Sequence, residues 1–436
     1  MSDHQPAHSA PPVPDELRRR LGVFDAVVIG LGSMIGAGIF AALAPAARAA
    51  GSGLLVALAV AAVIAYCNAT SSARLAARYP ASGGMYVYGR ERLGAFWGYL
   101  AGWSFVVGKT ASCAAMALTA GAYVWPEYAH EVAVAAVVTL TVVNYGGVQK
   151  SAWLTRIIVA VVLAVLAAIT VAAFTTGHAE AGQLGLGSDI TITGILQAAG
   201  LLFFAFAGYA RIATLGEEVR DPARTIPRAI PLALGLTLLI YAGVAAAALS
   251  VLGPRQLAHA VAPLSQLAHA TGVPWLEPVV RVGAAIAALG SLLALVLGVS
   301  RTTLAMARDR HLPHVLTAVH PRFGVPHRAE ITVGVIVAVV AAVADVRSAI
   351  GFSSFGVLLY YAIANTSAAT LTRAENRPPR AIPVIGLLGC LLLAFSLPWT
   401  SAASGAAVIA AGITVYVIRD RLHHNTTRSL RTHSDS

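Results

Sequence analysis

Long apolar runs separated by short polar segments dominate the chain from about residue 24 to residue 418. A segment of roughly 20 apolar residues is long enough to cross the hydrocarbon core of a bilayer. The pattern therefore predicts an all-α membrane protein with twelve transmembrane helices and no soluble domain. The predicted spans are about 24–48, 53–76, 95–122, 131–147, 152–175, 194–215, 230–252, 279–305, 331–346, 348–370, 382–397 and 400–418.

Composition supports this class, because 57% of the residues are hydrophobic and only 11% are charged, against about 25% charged in soluble domains. The net charge of +11 has an uneven distribution. With the N-terminus in the cytoplasm, 24 of the 30 Lys and Arg residues fall in cytoplasmic segments and four in outer segments. This bias is the orientation signal of a membrane protein, so the basic loops need no nucleic-acid partner. It predicts a cell-membrane protein with cytoplasmic tails at 1–21 and 419–436 around a twelve-helix membrane domain at 22–418.

The first predicted span contains four glycines, at positions 30, 32, 36 and 38. Each glycine inside a helix costs about 1 kcal/mol relative to alanine, which favours an interrupted helix. Interrupted helices in membranes are tolerated where the freed backbone groups face a cavity or protein, and in many transporters they form the ligand site. The Gly32–Gly36 spacing is also typical of close helix packing, so both interpretations stay open here.

The sixth predicted span has a second candidate interruption at Gly208, preceded by Phe203–Ala207. The first and sixth spans are five spans apart, so they open two five-helix halves. Interrupted helices at matching positions of two halves are typical of transporters with an inverted repeat. We therefore expect a 5+5 inverted repeat with discontinuous helices 1 and 6. The expected bounds are about 24–175 for repeat one, 194–370 for repeat two and 382–418 for two extra helices.

Several motifs, in order along residues 24–330, resemble those of the amino acid–polyamine–organocation (APC) permeases. They are Gly32–Phe40, Tyr79–Tyr88, Phe203–Gly208, Glu217–Pro222 and the stretch from Arg301 to Pro326. The resemblance implies a secondary active amino acid transporter that works by alternating access, and we expect it to be driven by proton symport or by exchange. It says little about the particular substrate.

A broken helix can bind both charged ends of an amino acid. The N–H groups near Gly36–Ile39 and the positive end of the helix dipole suit a carboxylate. The carbonyl groups near Gly32–Met34 and Phe204–Ala207 suit an ammonium, and the resemblance implies the same site. Phe206 and Tyr209 could contact substrate, gate the site or simply pack. The predicted substrate-binding residues are Gly32, Ser33, Met34, Ile35, Gly36, Ala37, Gly38, Phe204, Ala205, Phe206, Ala207, Gly208 and Tyr209.

Lys109 and Arg211 are the ionisable groups deepest in the predicted spans, where no Asp or Glu lies deep. Lys109 is roughly 21 Å along a helix that crosses a ~30 Å core. We expect Lys109 to carry a coupled proton or to supply a fixed positive charge in place of sodium; the alternative is a lysine that caps helix carbonyls. Arg211 is a possible inner gate with Glu217 or Glu218, or it extends to the interface.

Other function classes are weaker. Ala210 and Arg211 weaken the case for a cationic substrate without excluding a polyamine or organic-cation exchanger, and Ser291 alone makes sodium coupling less favoured than protons. A non-transporting nutrient sensor would be expected to have a large output domain. An intramembrane enzyme would need paired carboxylates or a metal site in the spans, and we expect no catalytic residue, metal or cofactor. The expected partners are an amino acid, protons and the lipid bilayer, with the chain a monomer or homodimer.

Overall fold

The computed structural model describes residues 21–79, 83–147, 152–213, 215 and 218–434. These residues form α-helices joined by short loops and 3₁₀ turns, together with one isolated β-bridge between Leu21 and Val219. The helices are α1 (Val23–Met34), α2 (Ala37–Ala41), α3 (Leu43–Ala50), α4 (Leu54–Arg78), α5 (Met85–Leu93), α6 (Ala95–Val124), α7 (Ala129–Tyr145), α8 (Ala152–Thr175), α9 (Ile192–Phe206), α10 (Ala210–Ala213), α11 (Pro222–His259), α12 (Pro263–Ala270), α13 (Leu276–Arg308), α14 (His327–Val343), α15 (Val346–Ala369), α16 (Ala381–Ser396) and α17 (Trp399–Ser434).

Ten helical segments of the described residues are long and apolar enough to cross a membrane, which confirms an all-helical, multi-pass membrane protein. α14 has 17 residues and α16 has 16, so both are shorter than the other ten. The count of twelve spans and the inverted repeat stay predictions. Two helices continue furthest past their predicted spans: α11 has 38 residues, with a kink at Gly253, and α17 continues to Ser434, through the predicted C-terminal tail.

Helix α6 lies in the centre of the fold, where it packs against α5, α7, α13, α14 and α15. The approach to α15 is close enough to need glycine on both sides. A Cβ at Gly356 would lie 3.0 Å from the Cα of Gly108, and a Cβ at Gly108 would lie 3.2 Å from the carbonyl oxygen of Ser353. Small residues that let helix backbones approach are the usual packing device inside membranes. The centre of the molecule is therefore held by backbone contact.

One end of the molecule, which we call the arginine-rich face, is defined by ion pairs that join the ends of α4 and α5 to residues near the ends of other helices. Arg78 and Arg92 pair with Glu375 at 3.3 and 3.1 Å, and Arg90 pairs with Asp309 at 2.9 Å. Hydrogen bonds from Thr372, with help from both arginines, lower the pKa of Glu375 to about 2. All these residues belong to segments that the sequence predicts on the cytoplasmic side. The contacts therefore agree with the predicted alternation of loops.

The opposite face joins segments that the sequence predicts outside. Arg281 donates hydrogen bonds to the carbonyl groups of Tyr123 and Val124, at 2.8 and 2.9 Å. His130 lies 2.8 Å from the carbonyl oxygen of Ala341. These contacts agree with the predicted grouping of these segments at one end of the molecule, and the assignment of that end to the outside stays a prediction.

Candidate substrate and coupling site

The first predicted interruption is present in the structure. Helix α1 ends at Met34, and α2 begins at Ala37. Between them, Ile35 has φ −78° and ψ 20°, while Gly36 has φ −71° and ψ −135°. The amide of Ile35 still donates to Leu31 at 2.7 Å, so the helical path is lost at Gly36. The glycines of this span predicted the interruption correctly.

The second interruption is milder. Helix α9 ends at Phe206, residues Ala207–Tyr209 form a single 3₁₀ turn, and α10 continues from Ala210 to Ala213. A 3₁₀ turn tightens the chain without reversing its direction. The sixth span is therefore discontinuous as predicted, but by a change of winding over one turn.

The two interruptions touch each other through their backbones. A Cβ at Gly208 would lie 2.3 Å from the carbonyl oxygen of Ser33, and a Cβ at Gly38 would lie 2.6 Å from the Cα of Ala205. Both distances are shorter than real Cβ contacts. The first helix is therefore interrupted, and glycines at both interruptions also pack closely against backbone. A ligand site at the interruptions stays a prediction.

The hydroxyl of Tyr241, on α11, connects the two interruptions. It donates to the carbonyl oxygen of Met34 at 2.6 Å and lies 3.1 Å from that of Ala205. From α13, the hydroxyl of Ser291 lies 3.4 Å from the carbonyl oxygen of Gly32. Sequence reasoning singled out Ser291 but missed Tyr241, which lies within the apolar seventh span and has no motif around it.

Lys109 lies against the second interruption. Only 7% of its surface is exposed, and its Nζ lies 3.4 Å from the carbonyl oxygen of Ala207. The hydroxyl of Tyr361, on α15, lies at the same distance from that oxygen. This contact is the carbonyl-capping geometry considered from the sequence, and it puts a cationic group beside the 3₁₀ turn.

Most of the predicted substrate-binding side chains are packed away from solvent. Phe206 packs against the ring of Tyr241, at a centroid distance of 5.2 Å, and Tyr209 packs against Tyr361 at the same distance. Both are fully buried, in accord with the packing interpretation of these aromatic residues. Met34, Ile35, Gly36, Ala37, Gly38, Phe204, Ala205 and Ala207 are buried as well, while Gly32, Ser33 and Gly208 are partly exposed.

Arg211 follows the second interruption on α10, and its side chain is exposed. The carboxylate of Glu218 attracts it electrostatically, whereas Arg301 on α13 repels it. Glu217, the other predicted partner, lies outside the described residues. Arg211 and Glu218 are therefore close enough to attract each other electrostatically at the arginine-rich face.

The two interrupted segments are also tied at both ends. At the arginine-rich face, the amide of Leu21 donates to Glu218 at 3.1 Å, and the amide of Arg220 donates to Leu21 at 2.9 Å. At the opposite face, the hydroxyl and amide of Ser52 donate to the carboxylate of Asp189, at 2.7 and 3.1 Å. These bonds from Ser52 lower the pKa of Asp189.

A cavity of about 390 Å³ opens at the opposite face, beside α2, α3 and the end of α6. Phe40 and Tyr123 line it, together with Arg48, His259 and Arg347. The hydroxyl of Tyr123 donates to the carbonyl oxygen of Phe40 at 3.0 Å. Phe40 lies four residues beyond Gly36, so this cavity reaches the outer end of the first interrupted segment.

The fold and the paired interruptions define a multi-pass membrane protein of the transporter class. A family model described as amino acid permease matches residues 21–418. The chain therefore belongs to the amino acid permease family, in the APC superfamily, as the sequence motifs indicated.

Several proteins are similar over most of the chain. The transporter Rv1999c of Mycobacterium tuberculosis is 74% identical over 407 residues, which are 93% of this chain and 92% of that protein. The branched-chain amino acid permease BcaP of Bacillus subtilis is 26% identical over 93% of this chain and 94% of its own. Human cationic amino acid transporter 4 is 28% identical over 83% of this chain and 61% of its own.

Proposed function

We propose that this chain is a secondary active amino acid transporter of the cell membrane, with both termini in the cytoplasm. It works by alternating access and couples uptake to protons or to exchange of a second amino acid. The observation that carries this proposal is the direct contact between two interrupted helices in a member of the amino acid permease family. Membership of the family supports the substrate class, and the interruptions supply backbone groups for its two charges.

We propose that the substrate carboxylate binds the N–H groups that follow Gly36. The ammonium group then lies toward the carbonyl groups of the first interruption and of the 3₁₀ turn. Gly32, Ser33 and Gly208 are the partly exposed residues of this set, so they are the first to meet substrate. The buried residues of the set must be uncovered as the transporter changes conformation, as alternating access requires.

A neutral amino acid is the favoured substrate. Arg211 and Arg301 put two positive charges near the arginine-rich end of the second interruption, and like charge disfavours a cationic side chain there. The similarity to a permease named for branched-chain amino acids fits this choice. The similarity to proteins named as cationic amino acid transporters makes arginine and lysine the alternative.

Lys109 is proposed as a fixed positive charge in the place where sodium-coupled relatives bind sodium. Its contact with the carbonyl oxygen of Ala207 supports this role, because an ammonium group stabilises a carbonyl group freed from helical bonding. The same contact would be broken or weakened if Lys109 were the group that releases the proton.

The experiment is uptake of labelled amino acids into proteoliposomes, with and without a pH gradient and with a panel of competing amino acids. Uptake of a neutral amino acid that is accelerated by the gradient, or by preloaded amino acid, supports the proposal. Binding without flux would instead indicate a sensor, and selective flux of polyamines would indicate an organic-cation exchanger.

Replacement of Lys109 by methionine tests the coupling role. We expect K109M to lose pH-driven uptake, because methionine keeps the length of the side chain but removes its charge. The chain has one other lysine, Lys150 in a predicted cytoplasmic loop, and K150M is the matched control that should transport normally. Intact, still pH-dependent uptake by K109M would refute the role of Lys109.

A further inference from the structure

Glu330 is a buried acid that the site described above does not use. It lies in the first turn of α14, and its side chain is 0% exposed. Neither carboxyl oxygen has a hydrogen-bond partner among the described residues. Sequence reasoning missed it because it directly precedes the predicted ninth span, where an acid ordinarily faces water or lipid headgroups.

The charge environment of Glu330 is sparse. Helix α14 packs against α6, α7, α13 and the 3₁₀ turn at His314–Thr317. The charged group that acts on Glu330 electrostatically is Arg301 of α13, which attracts it without hydrogen bonding.

The other titratable groups of α14 and of the elements packed against it are not among the groups that act electrostatically on Glu330. On α14 itself, His327 is half-buried against the ring of Tyr145 on α7, and Arg328 is exposed. The other groups are Lys109, Tyr99, Cys113 and Tyr123 on α6, His130 and Glu131 on α7, Glu277, Arg281 and Arg308 on α13, and His314 in the 3₁₀ turn.

A carboxylate buried without a hydrogen-bond partner costs several kcal/mol. Such a group is stable only with a bound proton or a bound cation. Arg301 is exposed and attracts the ionised form, so the balance between the two forms can change with small movements of α13. This combination of burial and a nearby but unbonded cation is that of a group that gains and loses a proton.

We propose that Glu330 is a proton-binding site of the transport cycle, protonated in the conformation described here. The proposal deepens the proposed function and rests on it for the coupling to amino acid flux. One proton binds the carboxylate, and the same proton leaves toward the arginine-rich face when α13 and α14 move apart. No other group changes its covalent state.

Helix α13 provides the mechanical link to the substrate site. It carries Arg301 beside Glu330, and ten residues earlier it carries Ser291 beside the carbonyl oxygen of Gly32. Ten residues of helix span about 15 Å. A shift of α13 therefore changes the surroundings of Glu330 and of the first interruption together. With Lys109 as the fixed charge, Glu330 supplies the titrating group that proton coupling requires.

The first test is independent of transport. Infrared difference spectra of the purified protein, recorded between neutral and alkaline pH, should contain the C=O stretching band of a protonated carboxyl group. We expect Glu330→Gln to lose this band. Glu91→Gln is the matched control, because Glu91 is an exposed acid of the arginine-rich face. An unchanged band in Glu330→Gln would overturn the assignment.

The second test measures flux in proteoliposomes. Glu330→Gln should lose the accumulation of amino acid driven by a pH gradient, while exchange of labelled for unlabelled amino acid continues. Glu330→Asp keeps an acid at the same position, so it should keep gradient-driven accumulation. It is the control that separates loss of the acid from misfolding caused by a change at this position. Accumulation by Glu330→Gln equal to that of the wild type, or wild-type accumulation that follows a sodium gradient, would overturn the proposal. Failure of the wild type to transport any amino acid would refute the proposed function, while the infrared band still tests Glu330.

Discussion

The two interrupted helices lose their regular α-helical winding in different ways. The first loses its helical path at Gly36, where ψ is −135°, and resumes as the five-residue helix α2. The second keeps its direction through the 3₁₀ turn Ala207–Tyr209. The first interruption frees more backbone groups. Side chains of other helices reach the carbonyl groups of both interruptions, since Tyr241 reaches that of Met34 and Lys109 and Tyr361 reach that of Ala207. At the second interruption one of these side chains, Lys109, is cationic.

This difference determines which backbone groups each interruption can offer to a ligand. A backbone that turns away from the helix axis offers both N–H and C=O groups to a ligand, as zwitterion binding requires. A single 3₁₀ turn offers fewer groups and packs more closely against its neighbour. Gly208 shows this packing most clearly, because it meets the main chain of Ser33.

Gly208→Ala should have the largest effect. The new Cβ would meet the carbonyl oxygen and carbon of Ser33 at 2.3 and 2.4 Å, and backbone cannot move aside as a side chain can. Overpacking costs roughly 1–3 kcal/mol and occasionally more, and so short a contact with backbone belongs at or above the upper end of this range. We therefore expect a clearly lower thermal unfolding temperature and loss of uptake. The control is Gly298→Ala on α13, where no atom lies within 4 Å of the added Cβ. Equal stability and uptake of the two variants would contradict the account of the second interruption.

Gly36→Ala should have an intermediate and repairable effect. Its Cβ would lie 2.0 Å from Oγ and 2.7 Å from Cβ of Ser291, while the nearest backbone atom is at 3.6 Å. Removal of that side chain in a Gly36→Ala, Ser291→Gly double variant should therefore restore much of the lost thermal stability. The same second change should not help Gly208→Ala. Rescue of both variants, or of neither, would remove the distinction between a side-chain and a backbone contact.

Tyr241→Phe should have the smallest of the three effects. It removes the hydroxyl that reaches the carbonyl groups of Met34 and Ala205, and a buried polar group left without its partner costs about 1–3 kcal/mol. We expect reduced thermal stability with slower uptake, since the ring and its packing against Phe206 remain. Tyr66→Phe is the control, because Tyr66 is half exposed on the surface of α4. A Tyr241→Phe protein as stable as this control would mean that the hydroxyl does not join the interruptions.

The sequence predicted the features that depend on composition and local conformation. Apolar length identified the helices, the four glycines of the first span located its interruption, and the rarity of charge in the spans drew attention to Lys109. These signals are local, because a glycine weakens its own helix wherever that helix lies.

The features it missed depend on the neighbours that folding brings together. Tyr241 gave no signal, since a tyrosine in an apolar run is ordinary until its hydroxyl is seen against two freed carbonyl groups. Glu330 looked like an acid at a helix end, and only the packing of α6, α7 and α13 around α14 shows that it is enclosed. The extension of α17 past residue 418 was missed because hydropathy marks where a span ends and does not mark where a helix ends.

The bridge between Leu21 and Val219 makes the segment entering α1 and the segment leaving α10 neighbours in one small ribbon. Any fusion partner joined immediately before Leu21 would load the inner ends of both interrupted helices at once. Fluorescent or affinity labels for functional work therefore belong after α17, or at the end of a spacer long enough to leave this ribbon unstressed.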